Sequence, residues 1–283
     1  MIKLLAMDMD GTCLNEKSRI TPQVMDALEA ARQAGVLLVP TTGRALECLP
    51  WQLRERPGLY RYVISSNGAR ITDTLSGSTI FRQEIPQETA LRLLARLGRR
   101  HLGRTAHVDH QYLVEGRILH AMGRAVYGRD AKTSPEVRSL PAAIRQRGMD
   151  VEELQLFFLG SGSRARTEQV LEDFPELSAD YSSLYVEIYH KTASKGTALS
   201  ALAEHLGLAP AEIACMGDGD NDRSMFWRMP CCPPIGKAAL RQGFGSMCSR
   251  GKGMGYGYEK PGTSLVPGFC LRCTVLPSGH PFS

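Results

Sequence analysis

The chain begins with a short apolar run that ends in two aspartates, and this junction constrains the fold more than any other stretch. Residues 4–7 have the length and composition of a buried strand and lead directly into Asp8-Met9-Asp10-Gly11-Thr12. Glycine lets the backbone turn, so we expect both carboxylates at the strand's carboxyl end. Side chains two residues apart on a strand share a face, which would crowd Asp8 and Asp10 into one small volume.

Such crowding is tolerated where a cation neutralises one carboxylate or where one carboxyl stays protonated, and both conditions suit phosphoryl transfer. A plainer alternative is an acidic strand-to-turn junction in which Asp8 and Asp10 only accept hydrogen bonds from backbone amides. This stretch alone leaves both interpretations open.

The next segment predicts a helix followed by a second buried strand. Thr21-Pro22 is typical of a helix start, apolar residues follow at helical spacing, and Gly35 is placed to end the helix. The continuous apolar run 36–39 resembles a strand buried on both faces. A right-handed crossover would make the two strands parallel, which predicts an α/β fold.

Small polar residues follow the second and third predicted strands. Thr42-Gly43-Arg44 follows the strand at 36–39, and Ser66-Asn67-Gly68-Ala69 follows a strand at 62–65. Each motif alone is ordinary turn chemistry. Ligands of open parallel sheets bind at the carboxyl ends of the strands, so three polar exits in succession predict a site at that edge.

A change of character marks the middle of the chain, from about residue 79 to residue 189. Its expected strands and helices are more polar and mixed in order: strands at 78–82, 111–115, 154–159 and 184–189, and helices at 86–100 and 164–174. A segment of this length can form a domain of its own. We expect it to be an insertion into the sheet protein.

The sheet pattern resumes with Ser194-Lys195-Gly196, a helix that Gly207 ends, and a strand at 213–216. This strand leads into Gly217-Asp218-Gly219-Asp220-Asn221-Asp222, where three acids in five residues need a cation or generous solvation. An EF-hand calcium loop is excluded, because Arg223 and Met229 stand where it needs glycine and glutamate. Lys195 in isolation is compatible with a solvated lysine at a helix start.

Composition excludes several classes of protein. No run of 18 apolar residues exists, and the first strand begins without a basic and apolar leader, so we expect a cytoplasmic protein without membrane spans. Seven of the 34 basic residues lie from Phe226 onward against one acid, Glu259, which leaves the body nearly neutral and implies no nucleic-acid partner. A four-thiolate zinc site from Cys231-Cys232 and Cys270-x-x-Cys273 is disfavoured, because the first pair lacks the usual two-residue spacer.

The five motifs, in this order along the chain, resemble those of the haloacid dehalogenase-like phosphatases. The likeness runs to about Met225 and is strongest to the Cof-type branch, subfamily IIB. It implies a doubly wound parallel sheet of the Rossmannoid kind with an inserted α/β cap. We therefore expect core segments at 1–82 and 190–225 with a cap at 83–189.

The resemblance implies a role for each matching residue in a Mg²⁺-dependent phosphatase. Asp8 would be the nucleophile that forms an aspartyl-phosphate, and Asp10 the acid and base. Thr42 and Lys195 would hold the phosphoryl oxygens. The implied Mg²⁺ ligands are the carboxylates of Asp8 and Asp218 and the backbone carbonyl of Asp10, with Asp222 as a further ligand or support. Positions near the substrate phosphate or the cap are matched by Arg44, Asn67, Gly68 and Asn221.

The tail at 226–283 departs from the family pattern. Ten glycines and seven prolines in its 58 residues disfavour the helices that the family has there. A lost reading frame near Phe226 is the simplest hypothesis, and a genuine basic, flexible appendage is the alternative.

The functional expectation is hydrolysis of a small phosphorylated metabolite, such as a sugar phosphate or a phosphorylated cofactor. A relic that binds phosphorylated ligands without turnover is the alternative, motivated by the tail. A phosphoaspartate receiver domain is disfavoured by the chain length, by the cap and by Asp10. The sequence indicates neither an oligomeric state nor which metabolite is the substrate.

Overall fold

The computed structural model describes residues 1–228, and of residues 126 and 127 only the backbone. The described residues form twelve strands and eight α-helices. The strands are β1 (Leu4–Met7), β2 (Leu37–Pro40), β3 (Tyr62–Ser65), β4 (Arg70–Asp73), β5 (Thr79–Arg82), β6 (Leu102–Val108), β7 (Gln111–Glu115), β8 (Glu136–Val137), β9 (Glu153–Phe158), β10 (Leu177–Tyr181), β11 (Tyr185–His190) and β12 (Ile213–Met216). The helices are α1 (Pro22–Gln33), α2 (Trp51–Arg54), α3 (Gln87–Leu97), α4 (Arg117–Tyr127), α5 (Leu140–Arg147), α6 (Ser163–Leu171), α7 (Lys195–Leu206) and α8 (Arg223–Arg228).

A parallel sheet in the order β12-β1-β2 carries the candidate site. Leu4 pairs with Leu37 on one side and with Ile213 on the other, so β1 is the central strand. All four β1 residues are fully buried, as expected for an apolar strand covered on both faces. The α/β fold with a parallel sheet is therefore confirmed.

Side-chain caps define where α1 and α7 begin, and these two helices precede the sheet strands β2 and β12. The hydroxyl of Thr21 accepts a hydrogen bond from the amide of Val24, and proline occupies the first position of α1. Ser194 caps α7 in the same way, with its hydroxyl accepting from the amide of Thr197 at 3.0 Å. This cap begins α7 at Lys195.

The third predicted strand is present, but only its end joins the parallel sheet. Ile64 of β3 forms a parallel bridge with Thr41, the residue that follows β2. Otherwise β3 pairs antiparallel with β4, and β4 pairs antiparallel with β5. Ser66 and Asn67 have positive φ angles of 49° and 55°, and this tight turn reverses the chain into β4. The expectation of a plain third parallel strand missed this hairpin.

The middle of the chain folds into a second, mainly antiparallel sheet in the order β10-β11-β9-β6-β7-β8. It has its own apolar cluster, formed with α3, α5 and α6. The strands predicted at 111–115, 154–159 and 184–189 correspond to β7, β9 and β11, and the helices at 86–100 and 164–174 to α3 and α6. The strand predicted at 78–82 is β5, which lies in the hairpin beside β3.

β6 is a central strand of this second sheet that the sequence pattern did not predict. Its buried residues include Arg104 and His107, and such polar side chains break the apolar pattern that marks a strand. Arg104 is tolerated there because its guanidinium forms two hydrogen bonds with the buried carboxylate of Glu115.

The apolar residues form one large cluster from 4–71 and 198–226, and another from 85–188. The domain boundaries at 1–82, 83–189 and 190–225 stay predictions that are compatible with this separation.

Phe226 is buried and α8 continues to Arg228. The rest of the tail lies outside the described residues, as do the hypotheses of a lost reading frame, a basic appendage and a zinc site. Among residues 1–228, no helix combines the length and the apolar character needed to cross a bilayer.

Candidate active site

Asp8 lies at the carboxyl end of the central strand, where the apolar run delivers it into a buried position. Its side chain is 6% exposed, and Oδ1 accepts a hydrogen bond from Nζ of Lys195 at 2.7 Å. Oδ2 is buried and has no hydrogen-bond partner in the structure. A buried carboxylate oxygen without a partner is costly, and such atoms are characteristic of reactive or ligand-binding sites.

Lys195 stands between two buried carboxylates. Its Nζ lies 2.7 Å from Asp8 and 2.6 Å from Asp222, and its side chain is 1% exposed. Burial lowers the pKa of Lys195, but the two carboxylates outweigh that effect and the net shift is upward. The alternative of a solvated surface lysine is therefore wrong.

Burial raises the pKa of Asp8 to about 6, although the charge of Lys195 opposes the shift. Asp222 and, more weakly, Asp10 add to it by like-charge repulsion. Asp8 is therefore a carboxyl whose ionised form depends on a nearby positive charge.

Residues 217–222 form a loop that Asp222 holds together. Its Oδ2 accepts hydrogen bonds from the amides of Asp218 and Gly219 at 3.0 and 2.9 Å. The carboxylate of Asp218 accepts from the hydroxyl of Thr12 at 2.8 Å. This hydrogen bond joins the turn after β1 to the loop after β12.

Three carboxylates at this edge fit a divalent cation. One oxygen from each of Asp8, Asp218 and Asp222 lies within 4.8 Å of the other two. Hard oxygen ligands of this kind suit Mg²⁺. Gly11, at φ +83°, leaves the space that Asp218 fills, since a Cβ there would lie 2.1 Å from its Oδ2. The unpartnered Oδ2 of Asp8 also agrees with an additional ligand.

Asp10 does not crowd against Asp8 as the strand spacing suggested. β1 ends at Met7, and Asp10 lies in an irregular turn where its side chain is 53% exposed. Its carboxylate accepts two hydrogen bonds from Arg44, at 2.8 and 2.6 Å. Strand alternation therefore does not apply, and the side chain of Asp10 turns to the guanidinium.

Arg44 connects this edge of the sheet to the inserted segment. Besides Asp10, its guanidinium binds the buried carboxylate of Asp130 at 2.9 Å. Thr42, 1% exposed, accepts a hydrogen bond from the amide of Arg44 through its hydroxyl. Asp130 carried no sequence signal, because it lies in a stretch without periodicity or motif.

Asn67, Gly68 and Asn221 take positions between the sheet edge and the insertion. Nδ2 of Asn67 donates to Glu153 and Glu187 at 2.9 and 3.0 Å, and its Oδ1 accepts from Nδ2 of Asn221. Gly68, at φ +94°, lies against the backbone before α7, where a Cβ would come within 2.2 Å of the Ser194 carbonyl. Gly68 thus allows the close approach that seats Lys195.

A cavity of about 430 Å³ opens above these residues. The sheet edge contributes Asp8, Asp10, Gly43, Arg44, Ala45, Cys48, Asp218, Gly219, Asn221 and Asp222, and the insertion contributes His107, Tyr112, Glu153, Gln155, Tyr185 and Glu187. Lys195, Thr42, Asn67 and Gly68 are not among the lining residues, but Lys195 and Asn67 form hydrogen bonds with residues that are. None of the six residues from the insertion was predicted from the sequence, since they fall in strands without a recognisable motif.

Comparison with known proteins places the chain in a single family. The model of the haloacid dehalogenase-like hydrolases matches residues 5–232. A Bacillus subtilis (strain 168) protein named "Putative phosphatase YxeH" is 28% identical over 241 residues, which cover 80% of this chain and 84% of that protein.

Solved structures share the fold. A haloacid dehalogenase-like hydrolase from B. subtilis superposes with a TM-score of 0.69 at 24% identity, over 85% of this chain and 92% of that one. The subclass IIB sugar phosphatase BT4131 superposes with a TM-score of 0.64 at 23% identity, over 79% of this chain and 84% of that one.

Proposed function

Because the chain belongs to the haloacid dehalogenase-like hydrolases, we propose that it is a Mg²⁺-dependent phosphatase that acts on a small phosphorylated metabolite through an aspartyl-phosphate. The observation that carries the proposal is the environment of Asp8. A buried carboxylate with one oxygen on Lys195 and the other unpartnered has the position and the charge of a nucleophile. The phosphatase name of the relative agrees with this reaction.

Asp8 attacks phosphorus, the bond to the ester oxygen breaks, and the phosphoryl group is transferred to Asp8. Asp10 gives a proton to the departing alkoxide and then takes one from a water molecule. That water attacks the phosphorus of the aspartyl-phosphate, which releases inorganic phosphate and restores Asp8. The carboxyl of Asp10 is half-exposed and lines the cavity, which agrees with this role toward the leaving group and water.

Lys195 has two tasks in this scheme. Its ammonium stabilises the ionised form of Asp8 before attack, and its position supports binding of the negatively charged phosphoryl group. Thr42 would add a hydroxyl donor to the phosphoryl oxygens. Arg44 keeps Asp10 oriented through its two hydrogen bonds.

The proposed Mg²⁺ ligands are Asp8, Asp218, the backbone carbonyl of Asp10, and Asp222 as ligand or support. When bound, the ion supplies positive charge that offsets the repulsion between these carboxylates and the phosphate. Asp222 also contributes by fixing the loop at 217–222.

Arg44, Asn67, Gly68 and Asn221 are proposed to lie near the substrate or the insertion. Asn67 and Asn221 reach the insertion through hydrogen bonds, whereas Gly68 acts through its backbone. The cytoplasmic location and the lack of a nucleic-acid or membrane partner stay predictions. The sugar phosphatase BT4131 motivates sugar phosphates as the first class to test.

The decisive experiment measures phosphate release from p-nitrophenyl phosphate and a panel of sugar phosphates, with Mg²⁺ and with EDTA. The full chain is compared with Asp8→Asn and with Asp26→Asn, which changes an exposed aspartate on α1. We expect Mg²⁺-dependent turnover that only Asp8→Asn abolishes. Absence of turnover in folded protein would instead favour a relic that binds phosphorylated ligands.

A further inference from the structure

The wall of the cavity opposite Asp8 is built from two neighbouring strands of the insertion. In β9 and β11, Gln155 is the direct partner of Glu187, and Glu153 lies two residues before Gln155 on the same face. Glu153, Gln155 and Glu187 line the cavity. The alternate residues, Leu154, Leu156, Val186 and Ile188, are buried in the apolar cluster of the insertion. Strand alternation therefore fixes two carboxyl groups toward the cavity.

These two carboxyl groups have few donors. Each accepts one hydrogen bond from Nδ2 of Asn67, and Gln155 adds a long one of 3.4 Å to Glu187. Glu153 is only 1% exposed, and its buried Oε1 has no hydrogen-bond partner. Nδ1 of His107 lies 4.0 Å away, beyond hydrogen-bond distance. An unpartnered oxygen at the wall of a cavity indicates that something else supplies the donor.

No lysine or arginine among the described residues of the insertion lines this cavity. The cations of the sheet edge are already held by other carboxylates, since Lys195 binds Asp8 and Asp222 and Arg44 binds Asp10 and Asp130. The charge of Lys195 lowers the pKa of Glu187 through space, but no lysine or arginine of the described residues forms an ion pair with Glu153 or Glu187. The negative charge that these carboxylates carry when ionised therefore has no contacting counter-ion. A ligand group of positive charge would match it.

Burial, together with the charge of Glu187, raises the pKa of Glu153 well above its ordinary value. Burial also raises the pKa of Glu187, against the hydrogen bond from Asn67. Burial of His107 lowers the pKa of its imidazole to about 4, so this neighbour is neutral near pH 7. Without a contacting cation the two glutamates therefore favour their neutral form, and a bound cation would hold them ionised.

We propose that the alcohol half of the substrate carries a protonated nitrogen, which binds between Glu153 and Glu187. This inference rests on the proposed phosphatase function and names its substrate class: phosphate monoesters of amino alcohols, including amino sugars. The phosphoryl end meets Lys195 and the metal ligands, and the ammonium end meets the acidic wall. Esters with a second phosphate or a carboxylate on the alcohol half would be repelled by the same wall.

The test uses matched pairs of esters that differ only in an ammonium for a hydroxyl. Suitable pairs are glucosamine 6-phosphate with glucose 6-phosphate, and 2-aminoethyl phosphate with 2-hydroxyethyl phosphate. We expect kcat/KM to favour the amine in at least one pair by about tenfold to a hundredfold, which is what a hydrogen bond to a charged group is worth. Equal or better turnover of both hydroxyl esters would overturn the proposal.

Glu187→Gln and Glu153→Gln keep the shape of the side chain and remove its charge. In both variants we expect the amine-to-hydroxyl ratio of kcat/KM to fall toward one. Glu168→Gln, which changes an exposed acid on α6, is the matched control and should keep the wild-type ratio. A wild-type ratio retained in both Glu187→Gln and Glu153→Gln would overturn the proposal.

Calorimetric binding of 2-aminoethyl phosphate and 2-hydroxyethyl phosphate to the wild-type chain separates this proposal from the proposed function. If p-nitrophenyl phosphate is not hydrolysed but the amine ester binds tighter, the phosphatase function fails and the acidic subsite stands. If p-nitrophenyl phosphate is hydrolysed and the two esters bind equally, the phosphatase function stands and the acidic subsite is refuted.

Discussion

Replacement of Lys195 by methionine tests the reasoning about the site most directly. Methionine keeps a long flexible side chain but removes the ammonium from between Asp8 and Asp222. At separations of 2.7 and 2.6 Å, each attraction amounts to about 6 kcal/mol at an effective dielectric constant of about 20. Desolvation of the buried charges offsets much of this, and loss of one partner from a buried ion pair typically costs about 3–5 kcal/mol.

We therefore expect Lys195→Met to lower the free energy of unfolding in EDTA by about 3–5 kcal/mol, or the midpoint temperature by about 10 °C. Urea and thermal unfolding measure both quantities. Lys191→Met is the matched control, since Lys191 is exposed and donates to the Pro175 carbonyl at 3.2 Å. Added Mg²⁺ should stabilise the Lys195→Met variant, because a cation that binds the folded state alone stabilises it by mass action.

A loss below about 1 kcal/mol in EDTA would refute the argument, because it would mean that the two carboxylates do not depend on the lysine. Equal losses in Lys195→Met and Lys191→Met would refute it as well.

Three further predictions concern the metal site and the insertion. Gly11→Ala should abolish Mg²⁺-dependent turnover, because its Cβ would collide with Asp218. Gly35 has the same φ of +83° but nothing within 4 Å of the added Cβ, so Gly35→Ala should lose stability and keep turnover. Phosphate release measures turnover in both variants. Asp218→Asn should raise the Mg²⁺ concentration for half-maximal turnover by about tenfold or more. Asp220 has a side chain that is 98% exposed, and Asp220→Asn should leave this concentration unchanged. The same half-maximal Mg²⁺ concentration in both variants would contradict the prediction. The pKa of His107 is lowered to about 4 in the folded chain, so between about pH 6.5 and 4 the unfolded chain binds one proton more and the wild type loses stability as pH falls. His107→Asn lacks this loss. Urea unfolding should therefore show that the difference in free energy of unfolding between wild type and His107→Asn changes by up to about 3 kcal/mol, against the wild type, from pH 7 to 4.

The sequence alone determined the α/β fold and most of the residues at the sheet edge. Apolar runs, helix caps and strand-exit turns are local signals, and they brought Asp8, Lys195, Asp218 and Asp222 within a few residues of strand or helix ends. Carboxyl ends of parallel strands meet at one edge, so the sequence order sufficed to bring Asp8, Asp218 and Asp222 together, whereas Lys195, at the start of α7, was expected at the site through the family resemblance. The roles assigned to them follow from family resemblance and stay proposals.

Tertiary structure decided what the local signals do not contain. Asp10 turns to Arg44 because β1 ends before it, and β3 leaves the parallel sheet at a tight turn. β6 carries a buried arginine whose partner lies on the next strand, and such a pairing cannot be read from a single-strand pattern.

The acidic wall was also decided by the tertiary structure. Glu153 and Glu187 are 34 positions apart, and neither stands in a motif. They face the same cavity because β9 and β11 pair in one register, and they reach the sheet edge because Asn67 binds both. Local sequence sets which groups a strand presents, whereas the burial, charge and missing partners of those groups depend on contacts between distant segments.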